Sequence, residues 1–242
     1  MEKLICLVWA GDDADHAAFN RRMLDELPAR LTAAGASGLR INIEDDAVAT
    51  GAHLRQSRGP RQHNAVVQFW LPSANGLFRH EVDAALDDMG ERWAGWVVAE
   101  STIIANVAHP TISGERTSGW AQMAFLVRPD RLSHAEWLAA WQERHTVVAI
   151  ETQANFEYVQ NLVVRAITGD APPYAAIVEE CFPAAALTDP MVFFDAVGDG
   201  AKFKANLDRM MVSCNAFIEP GVIDVIPTSQ YNFNFGADYA GA

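Results

Sequence analysis

Side chains that can move a proton are concentrated in one stretch, from Asp130 to Asn161. Trp137, Trp141 and His145 recur there at every fourth residue, so a helix would place them along one side. An imidazole on a mostly apolar face, with a pKa near neutrality, can take a proton from a carbon or a phenol. We therefore predict that His145 is a catalytic base or acid.

A strand predicted at Phe156–Ile167 follows this helix and carries Tyr158 and Asn161. A phenol can donate a hydrogen bond to an oxygen that gains negative charge, which is the role predicted for Tyr158. The two residues are an odd number of positions apart, so a regular strand sends their side chains to opposite faces. We expect Tyr158 to reach the site. The alternative is structural: His145 bonded to a backbone carbonyl, and Tyr158 a half-buried strand aromatic.

The helix that positions His145 has a clear start signal. Ser133 and Glu136 have the spacing of a capping box, in which each side chain bonds the other's backbone N–H. We predict one helix over Ser133–Thr152. On the strand after next, Glu179 is predicted to pair with His145 and orient it. Aromatic and amide side chains nearby are predicted to bind the substrate: Trp137, Trp141, Asn161, Tyr174 and Phe182.

The elements of the second half repeat those of the first. Strands are predicted at Lys3–Trp9, Leu39–Ile43, Ala65–Leu71 and within Trp93–Asn106, and again at Trp120–Val127, Phe156–Ile167, Tyr174–Phe182 and Val222–Ile226. Helices are predicted around Phe19–Leu31, at Leu77–Met89, at Ser133–Thr152 and within Ala184–Val212. Each half therefore has the order β-α-β-β-α-β of a ferredoxin-like unit.

Two such units with helices on one side of each sheet can bury their bare faces against each other. The predicted fold class is α+β, with two ferredoxin-like units forming an intrachain, pseudo-dimeric α+β barrel. The Pro/Gly/Ser/Thr-rich segment Asn106–Gly119 divides the chain into units at 1–108 and 119–242. The alternative, a doubly wound α/β sheet, lacks the Gly-rich turn expected after its first strand.

Two alignments between the halves bear on the site. Val66–Pro72 matches Ile177–Pro183 as an apolar strand stopped by proline, and Leu27 falls on His145. No equivalent of Tyr158 is evident in the first half. If the site lies within one unit, only the second unit therefore carries it.

The segment Ser229–Gly236 alternates aromatic residues with asparagines, which gives it one apolar face. We predict that it docks as an extra strand on the barrel or on a partner chain. The loop Asp45–Asn64 carries three arginines and two histidines. It is either an anion-binding loop or a solvated one, and the solvated interpretation is favoured on an acidic protein.

Composition and net charge argue against several classes of partner. The chain has 242 residues and a net charge of -13, which argues against a nucleic-acid partner and an anionic membrane surface. Its three cysteines form no CxxC pattern, so we expect a reduced, cytoplasmic protein. No metal-ligand spacing appears, so we expect no bound metal. No run approaches the ~18 apolar residues of a membrane span.

The second half resembles the EthD family of dimeric α+β-barrel proteins. The resemblance is carried by Arg131–Ser133, Trp141 with His145, Tyr158–Asn161, and Tyr174–Phe182 with its Glu179. A histidine typical of the family after Tyr-Val-Gln-Asn is Leu162 here, which weakens a mechanism that needs two histidines. Related barrels include dehydratases, cyclases, isomerases and monooxygenases, so the resemblance implies a fold more than a reaction.

The predicted function is that of an enzyme without a cofactor, acting on a small hydrophobic or aromatic oxygenated metabolite. The step would be a lyase, cyclase or isomerase reaction, or an oxidation of an electron-rich ring by dioxygen. The alternative is a non-catalytic binding or accessory protein. Haem binding through His145 is not favoured, because nothing else in the sequence supports an iron site. A homodimer is compatible with the sequence.

Overall fold

The computed structural model describes residues 1–233. Its eight strands are β1 (Glu2–Trp9), β2 (Ser37–Ile43), β3 (Ala65–Leu71), β4 (Arg92–Ile104), β5 (Trp120–Leu126), β6 (Glu157–Ala166), β7 (Ala176–Phe182) and β8 (Ile223–Phe233). Its α-helices are α1 (His16–Asp25), α2 (Leu27–Ala33), α3 (His80–Asp87), α4 (His134–Leu138), α5 (Thr146–Thr152), α6 (Pro190–Phe193) and α7 (Gly200–Phe217). A π-helix, Ala139–His145, joins α4 to α5.

The strands form one closed barrel in the order β1-β3-β2-β8-β5-β7-β6-β4. Each half supplies four adjacent strands in the ferredoxin-like order, and the halves meet along β2–β8 and β4–β6. Every pairing is antiparallel, which excludes the doubly wound parallel alternative. The predicted intrachain, pseudo-dimeric α+β barrel is confirmed.

Both faces of the sheet are buried, because helices cover the outside and side chains fill the lumen. Along β1, alternate residues such as Leu4 and Cys6 pack beneath the first-half helices. The residues between them, such as Ile5 and Leu7, join an apolar cluster with Trp96 inside the barrel. A separate cluster lies between the second-half strands and their helices. This last layer holds the candidate site.

The last strand is longer than predicted and has a different role. It continues past Ile226 to Phe233, and its second part pairs with β2, from Ile43 opposite Ser229 to Leu39 opposite Phe233. The aromatic–asparagine alternation therefore belongs to a strand that closes the barrel rather than to an added edge. Residues 234–236 of the predicted segment lie outside the described residues.

Two helix predictions need correction. The helix predicted as continuous over Ser133–Thr152 contains the π-helix, although its capping box is present as predicted. The helix predicted from Leu77 begins at His80, and Leu77 is 79% exposed. The Leu77 backbone N–H donates to the Asn75 side chain in a turn that precedes the helix.

Two of the three arginines of the loop after β2 pair with acidic neighbours, and the side chain of the third, Arg58, lies over the Tyr174 ring. Arg55 pairs with Glu44, and Arg61 with Asp12 and Glu91. Within residues 1–233, no helix has the length and apolar character needed to cross a membrane.

Candidate functional site

A cavity of about 400 Å³ lies between the second-half sheet and its helices. One wall comes from β5–β8, and the other comes from the π-helix and α7. Polar and titratable side chains on its lining are Gln56, Gln122, His145, Gln153, Tyr158, Glu180, Cys214 and Asn215. Most of the remaining lining is apolar, including Trp141, Val178, Met210, Phe217 and Ile218. Its size falls within the ~300–1,000 Å³ of small-molecule sites.

The π-helix sets the position of His145, its last residue. The Thr146 backbone N–H bonds the Trp141 carbonyl, five residues back, so the turn is one residue wider than an α-turn. The His145 Nδ1 lies 2.9 Å from the Ser213 Oγ of α7, and its ring lies 4.6 Å from that of Phe217. Burial lowers the pKa of His145 to about 4, so the imidazole is neutral near pH 7.

Tyr158 lies on the sheet wall of the same cavity and is 1% exposed. The Gln160 side-chain N–H donates to the Tyr158 hydroxyl over 2.7 Å and to the Thr146 hydroxyl over 2.8 Å. Burial, together with the nearby Glu180, raises the pKa of Tyr158. The phenol therefore keeps its proton and can donate it in a hydrogen bond to a ligand.

Glu180, which no sequence pattern singled out, is the carboxylate of this cavity. It is the direct ladder partner of Tyr158 on the neighbouring strand, and it is 7% exposed. Its hydrogen-bond donors are two neutral amides, Asn155 at 3.1 Å and Gln122 at 3.2 Å. Within residues 1–233 it forms no ion pair. Burial raises the pKa of Glu180 to about 7.

Glu179 does not orient His145, which is a correction to the prediction. As the neighbour of Glu180 on a strand, it points to the opposite face, into the barrel lumen. There it accepts hydrogen bonds from Arg40 at 2.7 Å, from Asn42 and Gln230 at 2.8 Å and from Gln68 at 2.9 Å. Burial opposes its ionisation, but Arg40 and the amides outweigh burial and lower the pKa of Glu179 to about 2. The side chain beside the His145 Nδ1 is Ser213, not Glu179 as predicted.

Of the predicted pocket residues, Trp141 lines the cavity with His145 and Tyr158. Trp137 lies against Trp141, with ring centroids 5.1 Å apart, and its Nε1 donates to the Phe217 carbonyl. It supports the wall without lining the cavity.

The other three predicted substrate-binding residues lie elsewhere. Asn161 faces the lumen, where its Oδ1 accepts from Lys3 at 2.9 Å, so it and Tyr158 are on opposite faces as their odd spacing predicted. The Tyr174 hydroxyl donates to Asp224 at 2.7 Å in the lumen. Phe182 stacks on Trp120 and Phe193 in a separate cluster. None of the three lines the cavity.

At two aligned positions the first half has an apolar residue where the cavity has a titratable one. In the alignments made above, Leu27 matches His145 and Phe69 matches Glu180. Both Leu27 and Phe69 are fully buried in the first-half core. Within residues 1–233 there is no cluster of three or more His, Cys, Asp or Glu side chains suited to a metal ion.

No protein-family model matches the chain, and no curated protein matches its sequence. Among solved structures, an anthrone oxidase-like protein is similar, with a TM-score of 0.54 over 96% of this chain and 91% of that one, at 12% identity. A dye-decolorizing peroxidase from Bacteroides thetaiotaomicron has a TM-score of 0.47 over 96% and 93% of the two chains, at 10% identity. The first likeness places the chain in the dimeric α+β-barrel fold, and it shows the fold alone.

Proposed function

We propose that this protein is an enzyme that removes a proton from a small, hydrophobic, oxygenated ring compound bound in the cavity beside His145. The supporting observation is the setting of Glu180: a buried carboxylate, held by two neutral amides, next to a tyrosine hydroxyl on the wall of a mostly apolar cavity. A carboxylate desolvated in this way is a stronger base than one in water.

The residues divide the work as follows. Glu180 accepts the proton, and the negative charge that forms on the ring oxygen is stabilised by the hydroxyl of Tyr158. His145 is neutral, and in the tautomer whose Nδ1 accepts from the Ser213 hydroxyl, its Nε2–H can donate to a second ligand oxygen. In this proposal the base is Glu180 rather than His145, because an imidazole with a pKa of about 4 is a weaker base than a carboxylate with a pKa of about 7.

The fate of the carbanion depends on the substrate. In an isomerase or cyclase step it is reprotonated or attacks a carbonyl, and in an oxidation it reacts with dioxygen. The solved structure with the same fold is described as an anthrone oxidase-like protein. Anthrone fits the chemistry, because its ring CH₂ is acidified by the adjacent aromatic rings and the carbonyl. The balanced reaction is anthrone plus dioxygen giving anthraquinone and water. The resemblance to EthD proteins is compatible with either outcome.

The test uses anthrone and dioxygen, with anthraquinone followed by absorbance and oxygen by electrode. We expect turnover above the protein-free rate, and a fall on the order of a hundredfold or more in kcat for Glu180→Gln. Glu157→Gln is the matched control, since Glu157 lies on the same sheet but faces the lumen. It should retain kcat.

Equal turnover by Glu180→Gln and the parent protein would remove Glu180 from the mechanism. If anthrone binds with no turnover of anthrone or of other carbon acids, the alternative of a non-catalytic binding protein is the correct one.

A further inference from the structure

A second cavity, of about 500 Å³, lies in the barrel lumen at the end away from the apolar cluster. The segment between β4 and β5 lines its mouth through residues including Asn106, His109 and Pro110. The Asn106 side chain bonds both the N–H and the carbonyl of His109, and the His109 ring packs 4.4 Å from that of Phe156. These contacts hold the segment at the mouth in place, and this cavity is separate from the one beside His145.

Charged side chains in this part of the lumen form ion pairs with one another. Lys3 pairs with Glu100, and Arg40 pairs with both Glu157 at 2.8 Å and Glu179 at 2.7 Å. Two cations thus face three carboxylates, which leaves one negative charge in excess. A buried charge without a counter-charge is costly, so this lumen favours a cation.

One buried acceptor in the same place has no partner. Gln68 lines the cavity and is 0% exposed, and its Oε1 makes no hydrogen bond to any residue from 1 to 233. The amide cannot simply be turned round, because its Nε2 donates to the Glu179 carboxylate at 2.9 Å and to the Asn42 Oδ1 at 3.2 Å. The Gln68 Oε1 therefore needs a donor from outside the protein.

We propose that the lumen is a second ligand site, which binds a small molecule with one protonated amine. The ammonium group supplies the donor that the Gln68 Oε1 lacks and neutralises the excess carboxylate charge. The body of the ligand packs on the apolar part of the lining, which includes Trp70, Val159 and Phe233. A monoamine with an aryl or short alkyl body meets these requirements. This site is independent of the reaction proposed above.

The experiment compares 2-phenylethylamine, protonated at pH 7, with 2-phenylethanol, its neutral counterpart of similar shape. Titration calorimetry should give binding of the amine to the full chain, tighter than that of the alcohol by about tenfold or more. Equal binding of the two probes, or no binding of the amine, would overturn the proposal.

Two variants, on neighbouring strands but on opposite faces of the sheet, show which cavity binds the amine. Glu157→Gln removes the excess charge in the lumen and should abolish the preference for the amine, whereas Glu180→Gln, on the other side of the sheet, should retain it. The reverse result would place the amine beside His145 and reject the lumen site. Circular dichroism checks that each variant is folded.

Thr102→Lys provides a second measurement if Glu157→Gln does not fold. Thr102 is exposed at the mouth of the cavity, where its hydroxyl donates to Glu100 at 3.4 Å, and the substitution adds a positive charge beside that carboxylate. We expect weaker binding of the amine and unchanged binding of the alcohol. Unchanged binding of both probes would contradict a cation site.

Discussion

Two adjacent residues, Glu179 and Glu180, have opposite electrostatic environments. Arg40 and three amides hold Glu179 ionised in the lumen, and burial beside neutral amides favours the protonated form of Glu180 on the helix side. The consequence for stability follows from the direction of each pKa shift.

For Glu180→Gln, we predict a stability that improves relative to the parent protein as pH rises. From pH 4.5, the usual pKa of the group, to about 7, the unfolded chain loses this proton while the folded chain keeps it. The parent therefore loses stability over this range, by on the order of 3 kcal/mol in total. Urea unfolding of both proteins at pH 5, 6, 7 and 8 measures the difference.

Glu179→Gln is the matched control, with the opposite sign. The folded pKa of Glu179 is depressed, so its stabilising effect is present above pH 4.5 and is lost as pH falls towards 2. The deficit of this variant should be full at pH 6 and smaller at pH 3. Parallel pH curves for the two variants would contradict the assignment of their environments.

His145 gives a prediction about rate. If Glu180 is the base, the kcat of anthrone oxidation should rise with pH through about 7, the pKa of its carboxyl. His145→Ala should lower kcat through the loss of one hydrogen bond while the midpoint of the profile stays near 7. If the kcat–pH profile of His145→Ala has no midpoint near 7, then His145 and not Glu180 is the base.

At the scale of the element, the π-helix at Ala139–His145 determines which side chains reach the cavity. One extra residue in the turn rotates everything after it by about 100° relative to an α-helix. The wide turn places the His145 ring within hydrogen-bond distance of Ser213, while Trp141 stays on the cavity wall.

Deletion of Glu143, an exposed residue of this turn, should restore a regular α-helix. We expect helical circular dichroism to be retained and anthrone turnover to fall, because the imidazole moves away from α7. Glu143→Ala is the control, since it keeps the length of the turn and should behave as the parent protein. Full activity in the deletion variant would show that the wide turn does not position the site.

The sequence predicted where the strands and helices lie better than it predicted which face of the sheet each side chain is on. Apolar runs, proline stops and the alternation in Leu39–Ile43 located at least a part of each of the eight strands, and the spacing of Ser133 and Glu136 located a helix start. A barrel wall buried on both sides, however, gives an almost continuous apolar run, as in Ala176–Phe182, without the polar alternation that marks the two faces. Register alone separates Glu179 from Glu180, and register is fixed by pairing with β5 and β6.

At the scale of the whole molecule, the second part of β8 holds the two halves together. Its residues from Ser229 pair with β2, and Tyr231 also bonds Asp45. We predict that a chain ending at Pro227 melts at a lower temperature and associates through the uncovered edge of β2.

Thermal melting and light scattering test this prediction, and light scattering of the full chain also tests the predicted homodimer. Tyr231→Phe is the control for the truncation, because it removes one hydroxyl and keeps the strand. A truncated chain with unchanged melting and mass would show that the ladder does not stabilise the barrel.

The contact between Gln68 and Glu179 has an evolutionary consequence. The two positions are equivalent in the alignment of the halves, and they meet inside the barrel. In a barrel made from two identical chains, equivalent positions carry the same residue, so a glutamate there would face its own copy and repel it. Joining the halves in one gene lets each copy diverge alone. A charged residue can then face a neutral one, and one half can lose its pocket while the other keeps it.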